Sequence, residues 1–593
     1  MNIFNRFKDR LLKCIGELQN KGELPEHLDM ANISVEPPRN SDHGDVSTNA
    51  ALLLAGVLKR NPREIATLLA DSLAGPDEFL AIEVAGPGFL NARFSQKFWH
   101  TVLDQIIELG EDFGQSPMGG GEKIILEFVS ANPTGPLHIG HARGAIFGDV
   151  LARLLVFTGY DVLREYYWND CGAQVDKLAQ STYWRYLQSL GLSESKGLPN
   201  GATDIEYKGD YLVNVGAELA RLHHARYVDV PEMEWMSEMK THSVEAMKQM
   251  IRDDLALLDV KFDSEVSEEK IMSDGRVEEV IGELKKTNLI YTGQLEAPKG
   301  NSDAWEKRDQ MLFRSSAFGD EIDRPLTKSD GSWTYFATDI AYHLDKYTRG
   351  FKEMINVWGA DHGGYVPRVR AAVNALTDGL GKVSVALCQM VRLFDHGQPI
   401  KMSKRSGNFV TVRELVEAMD EKVGVGQGKD VIRFIMLTRK NDAPLDFDFS
   451  KASEQSRDNP VFYVQYAHAR ICSVFRRAEE LGSAFIPKNN ADFEYIYEKE
   501  ELALLKLLSD WPRVIELASS SREPHRVVFY LNELASEFHS LWNMGNNNPQ
   551  ARFIIEENPA VTQARLALIE GVRIVLVSGL QGIVGVTPQI EMR

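Results

Sequence analysis

A buried strand that runs into a helix through a proline- and glycine-rich loop is the feature that most constrains the fold of this chain. Residues 123–129 (KIILEFV) are mostly apolar, which predicts a strand buried on both faces. The loop Asn132–Pro136 follows, then a helical pattern from about position 138, and then a second strand pattern over Asp161–Tyr167. Strand, loop, helix and strand in this order predict a βαβ unit, and therefore a parallel sheet of the nucleotide-binding type.

The length of the chain predicts further domains around this sheet, because 593 residues exceed what one hydrophobic core accommodates. We predict an α/β fold in four parts. They are a small N-terminal α/β domain (1–112), a Rossmann-type parallel-sheet domain (113–400) with a helical insertion at about 175–324, a mobile lysine loop with a connecting segment (401–452), and a C-terminal all-α bundle (453–593).

Local patterns predict individual elements within these parts. Apolar residues recur every three to four positions over Phe4–Leu18, which predicts an amphipathic helix, and a second helical pattern covers Thr48–Leu58. A strand broken by a tight turn is predicted over Ile82–Asn91. Further strand patterns cover Trp333–Phe336 and Met354–Gly359.

No segment of the chain is predicted to cross a membrane. The most apolar run, Ile574–Val586, is interrupted by Ser578, Gln581 and three glycines, so we expect a buried helix end there. The N-terminal residues lack a basic segment followed by an apolar stretch and a cleavage site. We therefore expect a cytoplasmic protein without membrane association.

The spacing of the cysteines argues against two kinds of site, and the net charge alone does not decide whether the protein binds nucleic acid. Cys14, Cys171, Cys388 and Cys472 lie far apart with no C-x-x-C pair, which argues against a zinc ribbon and against a disulfide framework. The formal net charge is −19, which taken alone argues against a nucleic-acid partner. Net charge does not report how charge is distributed, so a basic strip on an acidic protein remains open.

Two histidines mark the start of the helix that follows the first strand. His138 and His141 are three residues apart around Gly140, so both imidazoles are expected on one face of the first helical turn. A helix N-terminus favours phosphate through its backbone N–H groups. Unrelated loop histidines and a metal pair are the alternatives, but no carboxylate at helical spacing completes a ligand set, so no metal site is predicted.

A second candidate element is the cationic segment 401–408 (KMSKRSGN). Three cations within five residues, beside small polar residues and a glycine, describe a mobile loop that can close on a polyphosphate. Alone, this segment is better explained as a solvated basic loop. Its pairing with the histidine element of the same sheet domain favours the phosphate-binding interpretation.

Together the two elements resemble the signature sequences of class I aminoacyl-tRNA synthetases. Neighbouring segments are similar to the arginyl-tRNA synthetase family in particular, and the similarity runs nearly the full length from His43-Gly44-Asp45 to the final residues. These segments are 127–136 (EFVSANPTGP), 169–174 (NDCGAQ), 207–211 (YKGDY), 329–335 (SDGSWTY), 339–342 (DIAY) and 459–467 (NPVFYVQYA).

The resemblance implies a two-step, ATP- and Mg²⁺-dependent aminoacylation of tRNA(Arg) with L-arginine. His138 and His141 would donate to phosphate oxygens, and Lys401 and Lys404 would neutralise the departing pyrophosphate. Arg405 stands where the general class I pattern has serine, which leaves open whether Lys404 acts alone. The remaining expected nucleotide contacts are Ala131, Asn132, Pro133, Thr134, Gly135, Pro136, Leu137, Ile139, Gly140, Asp361, Met402 and Ser403.

Arginine selection requires oxygens, because a guanidinium presents five donors and no acceptor. Glu127 lies within an apolar strand, where an unpaired carboxylate would be costly, so it needs a cation. Asp339, four residues after Tyr335, lies on the same helical face, and the family pattern places a tyrosine and an aspartate around the guanidinium. An internal salt bridge is the alternative for Glu127 and Asp339. Asn132 and Gln389 complete the candidate arginine contacts.

The resemblance also places anticodon contacts in the C-terminal bundle and further tRNA contacts in the N-terminal module. Aromatic and cationic residues suited to stacking on splayed bases are Tyr463, Tyr466, His468, Arg470, Arg476 and Arg477; for each, a bundle core with a solvated basic face is the alternative. A monomer is expected. Another class I ligase, such as a cysteinyl enzyme, and a catalytically inactive tRNA-binding paralogue are the alternative functions; the missing cysteine cluster and the intact histidines and lysines argue against them.

Overall fold

The computed structural model describes residues 2–75, 78–196, 204–295, 308–400, 410–486 and 493–592. These residues form two compact units. The first unit combines Met1–Met118 with Gln455–Arg593, and the second comprises Gly119–Glu454.

The N-terminal part of the first unit is a four-stranded antiparallel sheet with helices. Its elements are α1 (Ile3–Asn20), β1 (Val35–Glu36), β2 (Val46–Thr48), α2 (Ala50–Leu58), α3 (Pro62–Leu73), β3 (Phe79–Ala85), β4 (Phe89–Phe94) and α4 (Gln96–Leu109). The strand order is β1-β2-β4-β3. The predicted amphipathic helix is confirmed: the Asn2 side chain caps α1, and its apolar face is buried. The predicted broken strand is the antiparallel pair β3–β4.

The second unit is built on a central parallel sheet and contains two smaller sheets. The strands of the whole unit are β5 (Lys123–Glu127), β6 (Asp161–Trp168), β7 (Ser264–Ser267), β8 (Ile290–Gly293), β9 (Gln310–Phe313), β10 (Arg324–Pro325), β11 (Glu353–Gly359), β12 (Lys382–Cys388), β13 (Val391–Asp395), β14 (Gln398–Pro399) and β15 (Leu445–Asp448). Its helices are α5 (Ile139–Phe157), α6 (Ala173–Ser189), α7 (Ser193–Lys196), α8 (Tyr211–His223), α9 (Glu232–Leu257), α10 (Glu268–Ser273), α11 (Arg276–Lys286), α12 (Tyr335–Thr348), α13 (Val366–Leu376), α14 (Val412–Val423), α15 (Gly428–Met436) and α16 (Phe449–Ser453).

The order of the central sheet, β12-β11-β5-β6-β7, confirms the predicted parallel nucleotide-binding type. The first strand of the sheet in chain order, β5, lies in the middle. Its interior residues Ile124, Ile125 and Leu126 are at most 2% exposed, as expected for a strand covered on both faces. The strand order reverses between β5 and β11, and a crevice beyond the carboxyl ends of the strands at such a point is the usual ligand site of this architecture.

The segment predicted as a helical insertion is largely helical (α6 to α11), but it also contains β7, which pairs with β6 in the central sheet, and the three-stranded antiparallel sheet β10-β9-β8. Two local predictions were wrong. Trp333–Phe336 is not a strand: the Thr334 hydroxyl accepts a hydrogen bond from Ala337 N, so it caps α12, which begins at Tyr335. The strand predicted to reach Val129 ends at Glu127, because the chain turns sharply there.

The C-terminal part of the first unit is helical, as predicted. Its helices are α17 (Pro460–Glu480), α18 (Lys499–Ser509), α19 (Trp511–Ser521), α20 (His525–Asn547) and α21 (Pro559–Val577), which continues through a π-helical turn over Ser578–Val584. The expected buried helix end belongs to the continuous helix Pro559–Val584. By length and composition this helix could span a bilayer, and 78% of its most apolar window is buried within the protein. Burial of this kind is typical of a core helix.

Candidate active site

The carboxyl end of β5 runs into a strained turn at the reversal point of the sheet. Val129 and Ser130 have φ angles of 68° and 41°, a left-handed conformation that is costly for residues with a Cβ and most of all for a β-branched one. The Ser130 hydroxyl donates to Glu127 Oε1 at 2.9 Å, and the Asn169 amide donates to Ser130 O at 3.1 Å. Such strain persists where neighbouring contacts hold it, and it concentrates at functional sites.

Tyrosines and an amide hold the loop that follows this turn. Tyr166 Oη bonds both the N–H and the carbonyl of Ala131, at 3.0 and 3.1 Å, and the Asn132 amide donates to Gln174 Oε1 at 2.7 Å. Tyr211 Oη donates to Thr134 O at 3.0 Å. It lies so close to Gly135 that an added Cβ would be only 3.0 Å away, so a side chain would crowd it. The predicted nucleotide-contact residues 131–137 thus follow the carboxyl end of β5, at the point where the strand order reverses.

His138 and His141 lie together at the N-terminus of α5, as predicted. Their rings stack at 3.8 Å between centroids, 20° from parallel. His138 Nδ1 accepts from Gly140 N at 3.1 Å, and His141 Nδ1 accepts from His138 N at 3.3 Å, a reciprocal capping arrangement. Because both Nδ1 atoms accept, each neutral ring carries its proton on Nε2 and can donate from that nitrogen.

The predicted lysine loop lies outside the described residues, which stop at Ile400 and resume at Val410. Lys401, Met402, Ser403, Lys404 and Arg405 therefore stay predictions. The chain after this segment is anchored at the histidines: Thr411 forms a β-bridge with His138, and Val412 N donates to Leu137 O at 2.8 Å. A described neighbour of the lysine loop thus contacts the start of α5.

Asp339 and Tyr335 lie on the first turns of α12, as their spacing predicts. The Asp339 carboxylate accepts a hydrogen bond from the Tyr365 hydroxyl. Desolvation, and then the charges of Glu268 and Glu127, nevertheless raise the pKa of Asp339 to about 7. Tyr335 is 57% exposed, and its hydroxyl lies near Gly172. This crevice is electrostatically suited to a cation, because a cation would stabilise the ionised Asp339.

Two further groups beside Asp339 were missed at the sequence level. Glu268, at the start of α10, is 3% exposed, and its Oε2 makes no hydrogen bond to any described residue. Burial raises the pKa of Glu268 above its usual range. The Tyr167 hydroxyl is also buried without a hydrogen-bond partner in the described chain, and burial followed by the charges of Asp339 and Glu268 raises its pKa. No local pattern could have found them, because β6 and α10 converge only in the tertiary fold.

Glu127 occupies the internal ion pair that the sequence left open as the alternative. Lys346 Nζ, on the last turn of α12, donates to Glu127 Oε2 at 2.6 Å, and both side chains are almost fully buried. Lys346 also donates to Asn356 Oδ1 at 3.2 Å, in the neighbouring strand β11. Lys346 thus supplies the cation that the buried Glu127 carboxylate requires. A direct contact of Glu127 with a ligand stays a prediction.

Asp361 and Gln389 follow the carboxyl ends of β11 and β12, at the same edge of the sheet. Asp361 is exposed in a short helical turn, beside His362. Gln389 is fixed through its backbone: its N–H donates to Asn441 O at 2.8 Å, and its carbonyl accepts from the buried Arg143 at 2.9 Å. Both stand at the predicted edge of the sheet, and their ligand contacts stay predictions.

The first compact unit holds a separate cleft with aromatic and cationic lining. It encloses about 740 Å³, part of it open to solvent, and is lined by Gln455, Ser456, Arg457, Tyr463, Tyr466, Arg470, His539 and Asn543. The Arg470 guanidinium lies 5.4 Å from the Tyr466 ring centroid and donates to His539 Nδ1 at 3.0 Å. Burial lowers the pKa of His539 to about 4, so this ring is neutral and accepts.

The other three tRNA-contact candidates on α17 make contacts elsewhere. His468 is buried, with its Nδ1 bonded to Gln589 O at 2.8 Å. Arg476 bonds Ile590 O, and Arg477 pairs with Glu480 one turn along the helix. The structure therefore brings Tyr463, Tyr466 and Arg470 together in the cleft and leaves His468, Arg476 and Arg477 outside its lining.

Comparison with known proteins matches the three parts of this chain in order. Residues 5–94 match the arginyl tRNA synthetase N terminal domain, residues 104–430 match the class I (R) tRNA synthetase catalytic domain, and residues 464–592 match the DALR anticodon binding domain. Arginyl-tRNA synthetases from Thermus thermophilus and Plasmodium falciparum share the fold. Their TM-scores are 0.73 and 0.68 at 21% and 16% identity, and the matches cover 99% and 100% of this chain and 100% and 99% of theirs.

Sequence similarity to curated proteins extends over the whole chain. A protein named Arginine–tRNA ligase from Roseobacter denitrificans is 51% identical over 596 residues, and one from Rhodospirillum rubrum is 50% identical over 602 residues. Each alignment covers all of this chain and all of the relative. On the strength of these full-length matches, the chain belongs to the arginyl-tRNA synthetase family.

Proposed function

We propose that this chain is an arginine–tRNA ligase. It activates L-arginine with ATP, giving arginyl-adenylate and pyrophosphate, and then transfers the arginyl group to the 3′-terminal adenosine of tRNA(Arg). Full-length similarity to ligases of this name supports the reaction. The single structural observation that supports arginine as the amino acid is the cluster of Asp339, Glu268 and Tyr167, whose pKa values are raised and whose carboxylates form no salt bridge with any described residue.

The first step needs positioning and charge stabilisation more than covalent help from the protein. An arginine carboxylate oxygen attacks the α-phosphorus of ATP, and the bond from that phosphorus to the pyrophosphate oxygen breaks. His138 and His141 donate from Nε2 to phosphate oxygens as negative charge accumulates on them, an orientation that their accepting Nδ1 atoms favour. The α5 N-terminus adds a favourable dipole.

Lys401 and Lys404 neutralise the departing pyrophosphate in this proposal, with Mg²⁺ bound to the same phosphates as part of the substrate. The β-bridge between Thr411 and His138 supports it, because Lys404 precedes Thr411 by only seven residues in the chain. Residues 131–137, with Ile139, Gly140, Asp361, Met402 and Ser403, line the nucleotide in the same proposal.

The guanidinium is recognised by ionised Asp339 with Glu268 and the Tyr167 hydroxyl, and Tyr335 covers the crevice. Carboxylates and a phenol oxygen match the donors of a guanidinium, and a substrate cation removes the cost of burying two acidic groups close together. Glu127 contributes through the field of its ion pair with Lys346 and through Ser130, which it holds. In this proposal Asn132 and Gln389 contact the ammonium and carboxylate groups of the amino acid.

The second step transfers the arginyl group to tRNA. A ribose hydroxyl of the terminal adenosine attacks the adenylate carbonyl, and AMP leaves with the bonding electrons. We assign anticodon binding to the C-terminal helices (453–593) and contacts with the tRNA elbow to the N-terminal module (1–112). The two chemical steps belong to residues 113–400, together with the lysine loop in 401–452. The aromatic and cationic cleft of α17 and α20 supports base stacking. We expect a monomer in the cytoplasm.

The decisive test is aminoacylation of total tRNA with each of the twenty labelled amino acids in turn. Arginine is expected to be the amino acid incorporated, and incorporation of another would overturn the proposal. Asp339→Asn serves as the matched variant: it preserves size but removes the charge that recognises the guanidinium. We expect it to weaken arginine binding strongly and to change ATP binding little.

A further inference from the structure

Two histidines and a glutamate meet between α8 and α9, away from the residues assigned to the reaction. His223 is the last residue of α8, and Glu238 and His242 are four residues apart on α9. Their side-chain ligand atoms all lie within 4.8 Å of one another. Glu238 Oε1 is 3.2 Å from His223 Nε2 and 3.3 Å from His242 Nδ1.

These distances match the edges of a metal coordination polyhedron. A tetrahedral Zn²⁺ ion with bonds of about 2.0–2.2 Å places its ligand atoms roughly 3.3–3.6 Å apart. The two imidazole nitrogens are shielded from solvent, and neither makes a hydrogen bond of acceptable geometry with any described residue. Two shielded nitrogens, neither hydrogen-bonded to a described residue, thus converge on one carboxylate oxygen, an arrangement that suits a bound cation.

We propose that His223 Nε2, Glu238 Oε1 and His242 Nδ1 bind a divalent transition-metal ion of the Zn²⁺ type. Imidazole nitrogens favour zinc and related ions, whereas Mg²⁺ and Ca²⁺ take oxygen ligands, so this site is chemically separate from the Mg²⁺ that accompanies ATP. Three protein ligands leave one position for water, and the partial exposure of Glu238 and His242, 36% and 35%, admits it.

The ion would fasten two helices of the segment that leads into the active site. α8 and α9 share a core that includes Leu212, Leu219 and Trp235. Farther along α9, Lys248 pairs with Asp170 at 2.7 Å, and Asp254 accepts from Leu137 N at 3.0 Å, one residue before His138. About 18 Å of helix separate residues 242 and 254, so an ion at one end restrains the helix that supports the histidine loop at the other.

Co²⁺ titration of the full-length, metal-stripped protein tests the site, since Co²⁺ reports four-coordinate geometry by its visible absorption. We expect intense visible bands that saturate at one ion per chain, disappear on addition of equimolar Zn²⁺ and persist in excess Mg²⁺. His242→Ala and Glu238→Gln should each weaken binding at least about tenfold. Glu238→Gln is isosteric, so it keeps the helix while removing the anionic ligand.

Two controls separate this site from adventitious surface binding. Glu234→Gln, one turn before Glu238 and exposed, should retain the bands, as should His224→Asn, because neither side chain belongs to the proposed ligand set. Circular dichroism confirms that each variant is folded. The proposal is overturned if the wild-type protein shows no four-coordinate spectrum, or if the spectrum is the same in the wild-type, His242→Ala and Glu238→Gln proteins.

Discussion

Asp339 has the clearest electrostatic consequence at the scale of a single residue. Its pKa of about 7 exceeds the usual 3.8, so between these values the folded chain binds a proton that the unfolded chain does not. Stability from this group therefore falls as pH rises from about 4 to 7. A bound guanidinium reverses the preference, because it stabilises the carboxylate.

Arginine binding is accordingly expected to strengthen as pH rises through 7. Between pH 5.5 and 7.5 the affinity should increase roughly 25-fold if Asp339 alone titrates, and binding below pH 7 should release a proton. Calorimetry in buffers of different ionisation enthalpy measures both quantities. Asp339→Asn should bind arginine weakly at every pH, without this pH dependence. The control variant Asp161→Asn, at an exposed position, should behave as wild type. A wild-type arginine affinity that does not change with pH would refute the assignment.

The Glu127–Lys346 pair gives a second residue-scale prediction. Glu127→Gln leaves the buried Lys346 ammonium without its counter-charge, so we expect a loss of about 3–5 kcal/mol in the free energy of unfolding. The double variant Glu127→Gln with Lys346→Met removes both charges and should recover much of that loss. Urea unfolding followed by circular dichroism provides the double-mutant cycle. Additive losses would show that the two groups do not act as a pair.

At the scale of elements, the sequence pattern predicted those helices and strands that are determined by residues close together in the chain. The apolar run of β5, the apolar face of α5 and the mostly apolar run of β11 are each encoded by residues close together in the sequence. Trp333–Phe336 was predicted as a strand because aromatic and β-branched residues favour strands. In the structure the Thr334 side chain caps a helix that begins at the next residue. Glu268 and Tyr167 escaped prediction because their partners are distant in sequence. Glu238 and His242 stand at helical spacing, but only the packing of α8 against α9 brings His223 to them.

The N-terminus of α5 allows capping and chemistry to be separated. His138 Nδ1 caps the helix by accepting from Gly140 N, and an asparagine amide oxygen can take the same position. His138→Asn is therefore expected to keep wild-type stability, whereas His138→Ala should lose about 1 kcal/mol. Both should slow arginyl-adenylate formation by two or more orders of magnitude, because neither donates to phosphate as imidazole Nε2 does. Pyrophosphate exchange measures adenylate formation, and urea unfolding measures stability. If His138→Asn exchanges pyrophosphate at the wild-type rate, His138 only caps the helix and has no role in the reaction.

At the scale of the whole molecule, an acidic chain has to bind a polyanion. The formal charge of −19 opposes tRNA over most of the surface, so cationic positions must be local. The cleft between α17 and α20 meets this requirement, since Arg457 and Arg470 stand beside Tyr463 and Tyr466. A neutral His539 keeps Arg470 in place by accepting its hydrogen bond without adding charge.

Substitutions in this cleft should weaken tRNA and leave the small substrates unaffected, because the arginine and ATP contacts belong to the other compact unit. Tyr466→Ala is expected to reduce tRNA affinity about 5- to 150-fold through the loss of one stacked base, and Tyr466→Phe should retain most of it. Arg470→Ala should also lower the slope of log affinity against log salt by about 1. Arg477→Ala, a cation of the same helix paired with Glu480, is the matched control and should behave as wild type. Direct tRNA binding across a salt series, beside calorimetric arginine binding, gives these values; if Arg477→Ala weakens tRNA as much as Arg470→Ala, the anticodon does not use this cleft.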